Sequence, residues 1–306
     1  MGQIAFVFSG QGAQYSGMGQ SLSQASPAAH AVFEAVDAIR PGTSQQCFTG
    51  SKEELSITSN TQPCMFAVEL AAARALEEAG ILPVRVAGFS LGEIAALTYS
   101  GAVSLEDGFR LVCRRGEFMQ QAAEAADTGM IAVLKLDNET VEALCSQQPE
   151  VYPVNYNCPG QVTVAGLKSS LAALKDAVKA AGGRAVPLAV SGGFHSPFME
   201  PAARQLEQVL SSMEIAAPRI PLYSNYTAKL YAGDYRMLLR QQVCHPVRWQ
   251  AIVEDMIRQG IDTFIEVGPG KTLCGLIAKI DPAVRVWNVE NAESLQAVIN
   301  EVKSEC

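Results

Sequence analysis

The sequence predicts an α/β protein: a parallel sheet flanked by helices, interrupted in mid-chain by an inserted ferredoxin-like subdomain. Three observations support this class. Strand-like and helix-like segments alternate from Ile4 to Ala126. Residues 84–97 join an apolar strand to an Ala-rich helix through a sharp turn at Ser90. Between residues 130 and 190 the order is β-α-β-β-α-β, the signature of a ferredoxin-like unit. The expected core is therefore discontinuous, 1–127 and 192–306, with the insert at 128–191.

The first strand, 4–8, is wholly apolar and runs into a polar Gly-rich turn, Ser9-Gly10-Gln11-Gly12-Ala13-Gln14. Helical spacing follows at 27–39 and 64–79, the second stopped by Gly80. Ser104 with Asp107 marks the cap of a helix to about Ala126. The insert reads as strands at 130–136, 151–157, 161–165 and 184–190, with helices at 138–147 and 169–181. Beyond Gly192 a helix is expected at 201–213, a strand at 220–224 and a helix at 247–259. A strand at 263–267 then enters Gly268-Pro269-Gly270 and a further helix.

Composition bounds the function. The chain has 306 residues, 48% hydrophobic, enough for a sizeable core, and no apolar run nears the roughly 20 residues that span a bilayer. A formal charge of −8 argues against nucleic acid or an anionic membrane as main partner. The eight cysteines show no metal-type spacing, and no basic stretch or cleavage site precedes the first strand. A cytoplasmic protein with reduced thiols and no metal is expected.

The turn at Ser90 carries the chemistry. Gly88-Phe89-Ser90-Leu91-Gly92 matches G-x-S-x-G, in which small residues let a serine stand exposed between strand and helix. The helix start would place an N–H, that of Leu91, beside an acyl oxygen that becomes negative on attack. Ser90 with Glu93 is also a capping box, S-x-x-E, which would start a helix with no catalysis at all.

A serine needs a base, and the chain has three histidines. His30 lies among alanines on a helix and reads as structural; His245 reads as a turn residue before Pro246. His195, in Ser191-Gly192-Gly193-Phe194-His195-Ser196-Pro197, sits where the insert rejoins the core and is the candidate base. No carboxylate between Ser90 and His195 follows a strand of the main sheet, which argues against a standard hydrolase triad.

Gly10 to Gln14, Gly88 to Glu93, Arg115-Gly116-Glu117-Phe118-Met119 and Asn155-Tyr156-Asn157-Cys158-Pro159-Gly160-Gln161 form one set with Phe194-His195, Pro246-Val247-Arg248-Trp249 and Glu266 to Lys271. Over nearly the whole chain this set resembles the malonyl-CoA:acyl-carrier-protein transacylase family. The resemblance implies a hydrolase-like α/β core with a ferredoxin-like insert, Ser90 as nucleophile and His195 as base. It implies that the Gln242 side chain helps hold the histidine's loop, and that the N–H groups of Gln11 and Leu91 form an oxyanion hole. Arg115 would take the malonyl carboxylate, since its helix face is shared with Leu111, Val112 and Met119 and a guanidinium fork matches a carboxylate. Phe194 would favour malonyl over branched units, and Asn155 would contact substrate. The implied substrate is malonyl-CoA, the partner a phosphopantetheinylated acyl carrier protein, with no cofactor and a monomeric chain. Two positions depart from the family: Phe89 where histidine is frequent, and Ser9 where proline is.

Three other readings use the same residues. A serine thioesterase or hydrolase would pass the acyl group to water. A carrier-docking module would lack one of Ser90, His195, Arg115 or Gln242. A freestanding acyltransferase of a polyketide pathway would share all the chemistry.

Overall fold

The computed structural model describes residues 2–304. The main sheet is formed by β1 (Gln3–Phe8), β2 (Arg85–Gly88), β7 (Ile261–Val267) and β8 (Arg285–Val289), all parallel, in the order β2-β1-β7-β8. The second sheet, of β3 (Thr128–Leu134), β4 (Val151–Cys158), β5 (Gln161–Leu167) and β6 (Arg184–Pro187), is antiparallel in the order β4-β5-β3-β6. With helices Asn138–Ser146 and Lys168–Ala180 between its strands, this is the ferredoxin-like order expected for the insert.

β1 lies between two partners and is buried on both faces: Ala5, Phe6, Val7 and Phe8 have no exposure. The Thr58–Glu78 helix crosses the main core and buries Met65, Phe66, Val68 and Leu70 against the rest of it. Burying each such side chain contributes about 1.5–3 kcal/mol before the entropy of ordering is subtracted.

Several expectations need correction. The central helix begins at Thr58 rather than 64, with Pro63 inside its first turns. As the sixth helical residue it removes one i→i−4 hydrogen bond, the one the Ser59 carbonyl would accept, and the packing of the following buried turns carries the helix across it. Segment 220–224 forms only isolated bridges, Val86 with Leu222 and Tyr223 with Leu230, because the chain turns away after one pairing. The Tyr235–Cys244 helix, β8 and the Ala292–Ser304 helix were not anticipated. The closing strand of the insert stops at Pro187 instead of 190.

Parallel pairing does the positioning. Phe8 sits opposite both Gly88 and Val267, so β1, β2 and β7 end at the same edge. The loops after these strands, carrying Gln11, Ser90 and Gly268, therefore emerge side by side where ligands bind open α/β sheets.

Candidate active site

Ser90 occupies a strained position, with φ at 56°. The strain falls on the serine itself; the flanking glycines serve close approach. A Cβ on Gly88 would lie 1.9 Å from the Gly92 carbonyl carbon, and one on Gly92 would lie 2.4 Å from the Ser9 carbonyl oxygen. The turn thus needs hydrogen at both places. The capping-box expectation fails here: Leu91 is the N-cap of the Gly92–Tyr99 helix and no side chain caps it. Glu93 instead points inward, accepting from the Tyr231 hydroxyl at 2.5 Å and the Asn225 N–H at 3.1 Å.

His195 also has a positive φ, 60°, in the loop that follows the insert. Its Nε2 lies 2.7 Å from Ser90 Oγ and its Nδ1 lies 2.9 Å from the Gln242 carbonyl oxygen. A carbonyl only accepts, so Nδ1 carries the proton and Nε2 offers its lone pair to the serine hydroxyl. The group that orients the ring is thus a main-chain carbonyl. The Gln242 side chain does not hold the histidine; its Nε2 donates to the Ser90 carbonyl at 2.6 Å, and its Oε1 accepts from Arg115 at 2.9 Å. Burial, and next the Arg115 charge, push the His195 imidazole down to about 3.

Arg115 is 1% exposed, on the inner face of the Leu105–Glu124 helix with Leu111, Val112 and Met119. Its neighbour Arg114 faces out and pairs with Glu117. The Arg115 guanidinium donates to Gln62 Oε1 at 2.8 Å, to Gln242 Oε1 and, at 3.2 Å, to Ser90 Oγ. Its Nε is buried without a partner. Among the described residues no carboxylate lies within ion-pair distance of it. Burial brings its pKa down to about 10, with the Glu93 charge acting in the opposite direction. Burial likewise pushes Glu93 up to about 7, opposed by its hydrogen bonds and by Arg115.

A cavity of about 90 Å³ opens above Ser90, lined by Gln11, Gln62, Phe89, Met119, Asn155 and Phe194 among others. Phe194 is 6% exposed. The Asn155 Oδ1 is buried in this wall without a partner. The Phe89 ring, at the position that departs from the family, stacks edge-on against Trp249 at 5.5 Å. The main-chain N–H groups of Gln11 and Leu91 donate to no protein acceptor among the described residues. The Gln11 side chain reaches Thr58 Oγ1 at 3.4 Å.

His30 is exposed, near Ser23 Oγ and Glu34, and His245 caps the end of the Tyr235–Cys244 helix. Neither reaches the cavity lining. No group of three or more His, Cys, Asp or Glu among the described residues could hold a metal ion. Gln62 and Asn225 escaped the sequence reading. Gln62 closes a polar run, Thr58 to Gln62, that precedes the apolar part of the same helix and so carries no signal of its own; Asn225 has none either.

Comparison with known proteins places this geometry in context. The acyl transferase domain model matches residues 5–304. The malonyl CoA-acyl carrier protein transacylase of Bacillus subtilis is 37% identical over 313 residues, covering 100% of this chain and 99% of that one. Its Escherichia coli K12 counterpart is 39% identical over 92% of this chain and 93% of the relative. Among solved structures, the transacylase from Clostridium perfringens superposes with a TM-score of 0.96 at 36% identity, over 99% of this chain and 98% of that one. A chain from the complex of a type II PKS acyl-carrier protein with its malonyl-transacylase superposes at 0.93 and 36% identity, over 98% and 99%.

Proposed function

The chain belongs to the acyl transferase domain family, among the malonyl-CoA:acyl carrier protein transacylases, and on that premise we propose that Ser90 carries a malonyl group between the two thiols. The observation that supports this most is Arg115: a buried cation with no carboxylate in ion-pair reach among the described residues, its Nη2 3.2 Å from Ser90 Oγ. A dry guanidinium held by two glutamine oxygens favours an anion beside it, and a malonyl ester on Ser90 supplies one.

In the first half-reaction His195 Nε2 takes the Ser90 proton as Oγ attacks the thioester carbonyl of malonyl-CoA. The oxyanion lies against the N–H groups of Gln11 and Leu91, which need no reorganisation to receive it. Collapse breaks the C–S bond, the imidazolium protonates the leaving thiolate, and CoA departs with malonyl-Ser90 left behind. In the second half the pantetheine thiol of the carrier protein gives its proton to Nε2 and attacks the ester. Ser90 recovers the proton as its bond to the acyl carbon breaks.

Phe194 crowds the acyl α-carbon, and one added methyl there is worth about 1–3 kcal/mol of selectivity. Asn155 offers an unpaired amide oxygen to the substrate. The reaction calls for no cofactor. No helix among the described residues is long and apolar enough to cross a membrane, and a cytoplasmic enzyme fits the scattered thiols of the sequence. The catalytic core comprises 1–127 and 192–306, with 128–191 as a subdomain, and His195 lies on the loop with which the core resumes.

Incubation with malonyl-CoA, with and without a phosphopantetheinylated carrier, tests the acceptor. Malonyl-carrier is expected, with slow release of free malonate when the carrier is absent. Malonate release at full rate without a carrier would instead identify a thioesterase. Running a fatty-acid carrier and a polyketide carrier side by side assigns the pathway.

A further inference from the structure

The turn at Ser90 is held by a residue outside the strand–turn–helix unit. The Asn225 side chain is fully buried. Its Oδ1 accepts from the Ser90 N–H at 2.8 Å and its Nδ2 donates to the Gly88 carbonyl at 2.6 Å. The two main-chain groups fix the amide orientation, since an N–H can only donate and a C=O only accept. Asn225 thus spans the turn from the last residue of β2 to the nucleophile. Its own N–H donates to Glu93 Oε2, and Glu93 Oε1 accepts from Tyr231. The clip is therefore anchored at a second point, the second residue of the helix that begins at Gly92.

A positive φ on a residue with a Cβ costs about 1–3 kcal/mol and persists only where the surroundings over-determine it. At Ser90 no side-chain cap does so, and the Ser90 N–H and Gly88 C=O have no other side-chain partner. Released from Asn225, the peptide between Phe89 and Ser90 keeps only the hydrogen bond from the Gly92 N–H to the Phe89 carbonyl at 3.0 Å, and its N–H end can rotate toward a relaxed φ. That rotation would swing Oγ away from His195 Nε2 and turn the Leu91 N–H off the acyl oxygen.

We propose that Asn225 is a positioning residue for acyl transfer, holding the strained turn so that the Ser90 hydroxyl and the Leu91 N–H converge on one acyl carbon. The proposal rests on Ser90 being the nucleophile. It concerns geometry at the reacting oxygen and leaves the Arg115 anion site untouched. Loss of the clip therefore lowers the acylation rate at saturating malonyl-CoA without changing the concentration that half-saturates it.

The experiment is single-turnover acylation of the full chain by malonyl-CoA, read by rapid quench and intact mass, with thermal melting in parallel. Asn225→Ala is expected to slow acylation about 10- to 100-fold, the cost of leaving buried main-chain groups unpaired. Asn225→Asp keeps an acceptor for the Ser90 N–H and loses the donor to Gly88, so a smaller fall is expected; it also decides the matter if Asn225→Ala does not fold. Wild-type acylation rates in the folded variants, or a loss expressed wholly as weaker half-saturation, would overturn the proposal. Ser90→Ala runs alongside. A malonyl adduct persisting there would refute the nucleophile assignment itself, whereas its loss together with unimpaired Asn225 variants refutes only the clip.

Discussion

His195 donates through Nδ1 to the main-chain carbonyl of Gln242 at 2.9 Å, and this one bond decides which ring nitrogen can act as the base. A carbonyl cannot be protonated away in the working pH range, so it orients the ring as a carboxylate would while adding no charge to the site. The absence of a strand-end carboxylate in the sequence thus has a structural counterpart.

The His195 environment predicts a tautomer that survives mild acid. Burial and Arg115 lower its pKa from 6.5 to about 3, so the neutral form with Nδ1 protonated should persist at pH 5. Nitrogen-15 NMR of labelled histidine checks this directly; titration of this ring near 6.5 would contradict it. The stability linkage follows the same sign. The unfolded chain binds the proton at higher pH than the native one, so the contribution of His195 is intact above 6.5 and is lost as pH falls toward 3.

Arg115→Ala should separate acyl groups by charge. Transfer from malonyl-CoA is expected to drop about 10- to 100-fold, the range for losing hydrogen bonds to a charged group, while acetyl-CoA is used as well as before or better. Parallel acylation assays with the two thioesters measure the ratio. An unchanged preference for malonyl would remove Arg115 from the acyl site.

Gly88→Ala should be among the most damaging single-methyl changes in the chain. Its Cβ would meet the Gly92 carbonyl carbon at 1.9 Å and the Glu93 nitrogen at 2.2 Å, all backbone that cannot swing aside. A loss of about 3 kcal/mol or more is expected, with acylation abolished. Chemical denaturation and the acylation assay report the two effects; near-native values for both would show that the turn has slack.

The sequence displayed the fold where periodicity was strong. The insert was legible because four short strands and two helices fall in a fixed order, and the Pro27–Ile39 helix because Ser26 and Pro27 mark its start. The Tyr235–Cys244 helix was not, although Asp234 caps it, because ten residues are fewer than the window over which helical spacing stands out. At the site, Ser90 and His195 could be found from local glycine and proline patterns. Gln62, Asn225 and the carbonyl of Gln242 act through distant pairings, between 47 and 137 residues along the chain, that no local pattern encodes. Glu93 shows the limit plainly: its spacing from Ser90 fits a capping box, yet tertiary contacts with Asn225 and Tyr231 claim the carboxylate.

The central claim is a malonyl ester on Ser90. Brief incubation with malonyl-CoA, acid quench and peptide mapping should find a single malonyl adduct on the peptide containing Ser90, discharged by a thiol-bearing carrier protein and absent in Ser90→Ala. An adduct on another residue, or transfer to the carrier that survives in Ser90→Ala, would contradict it.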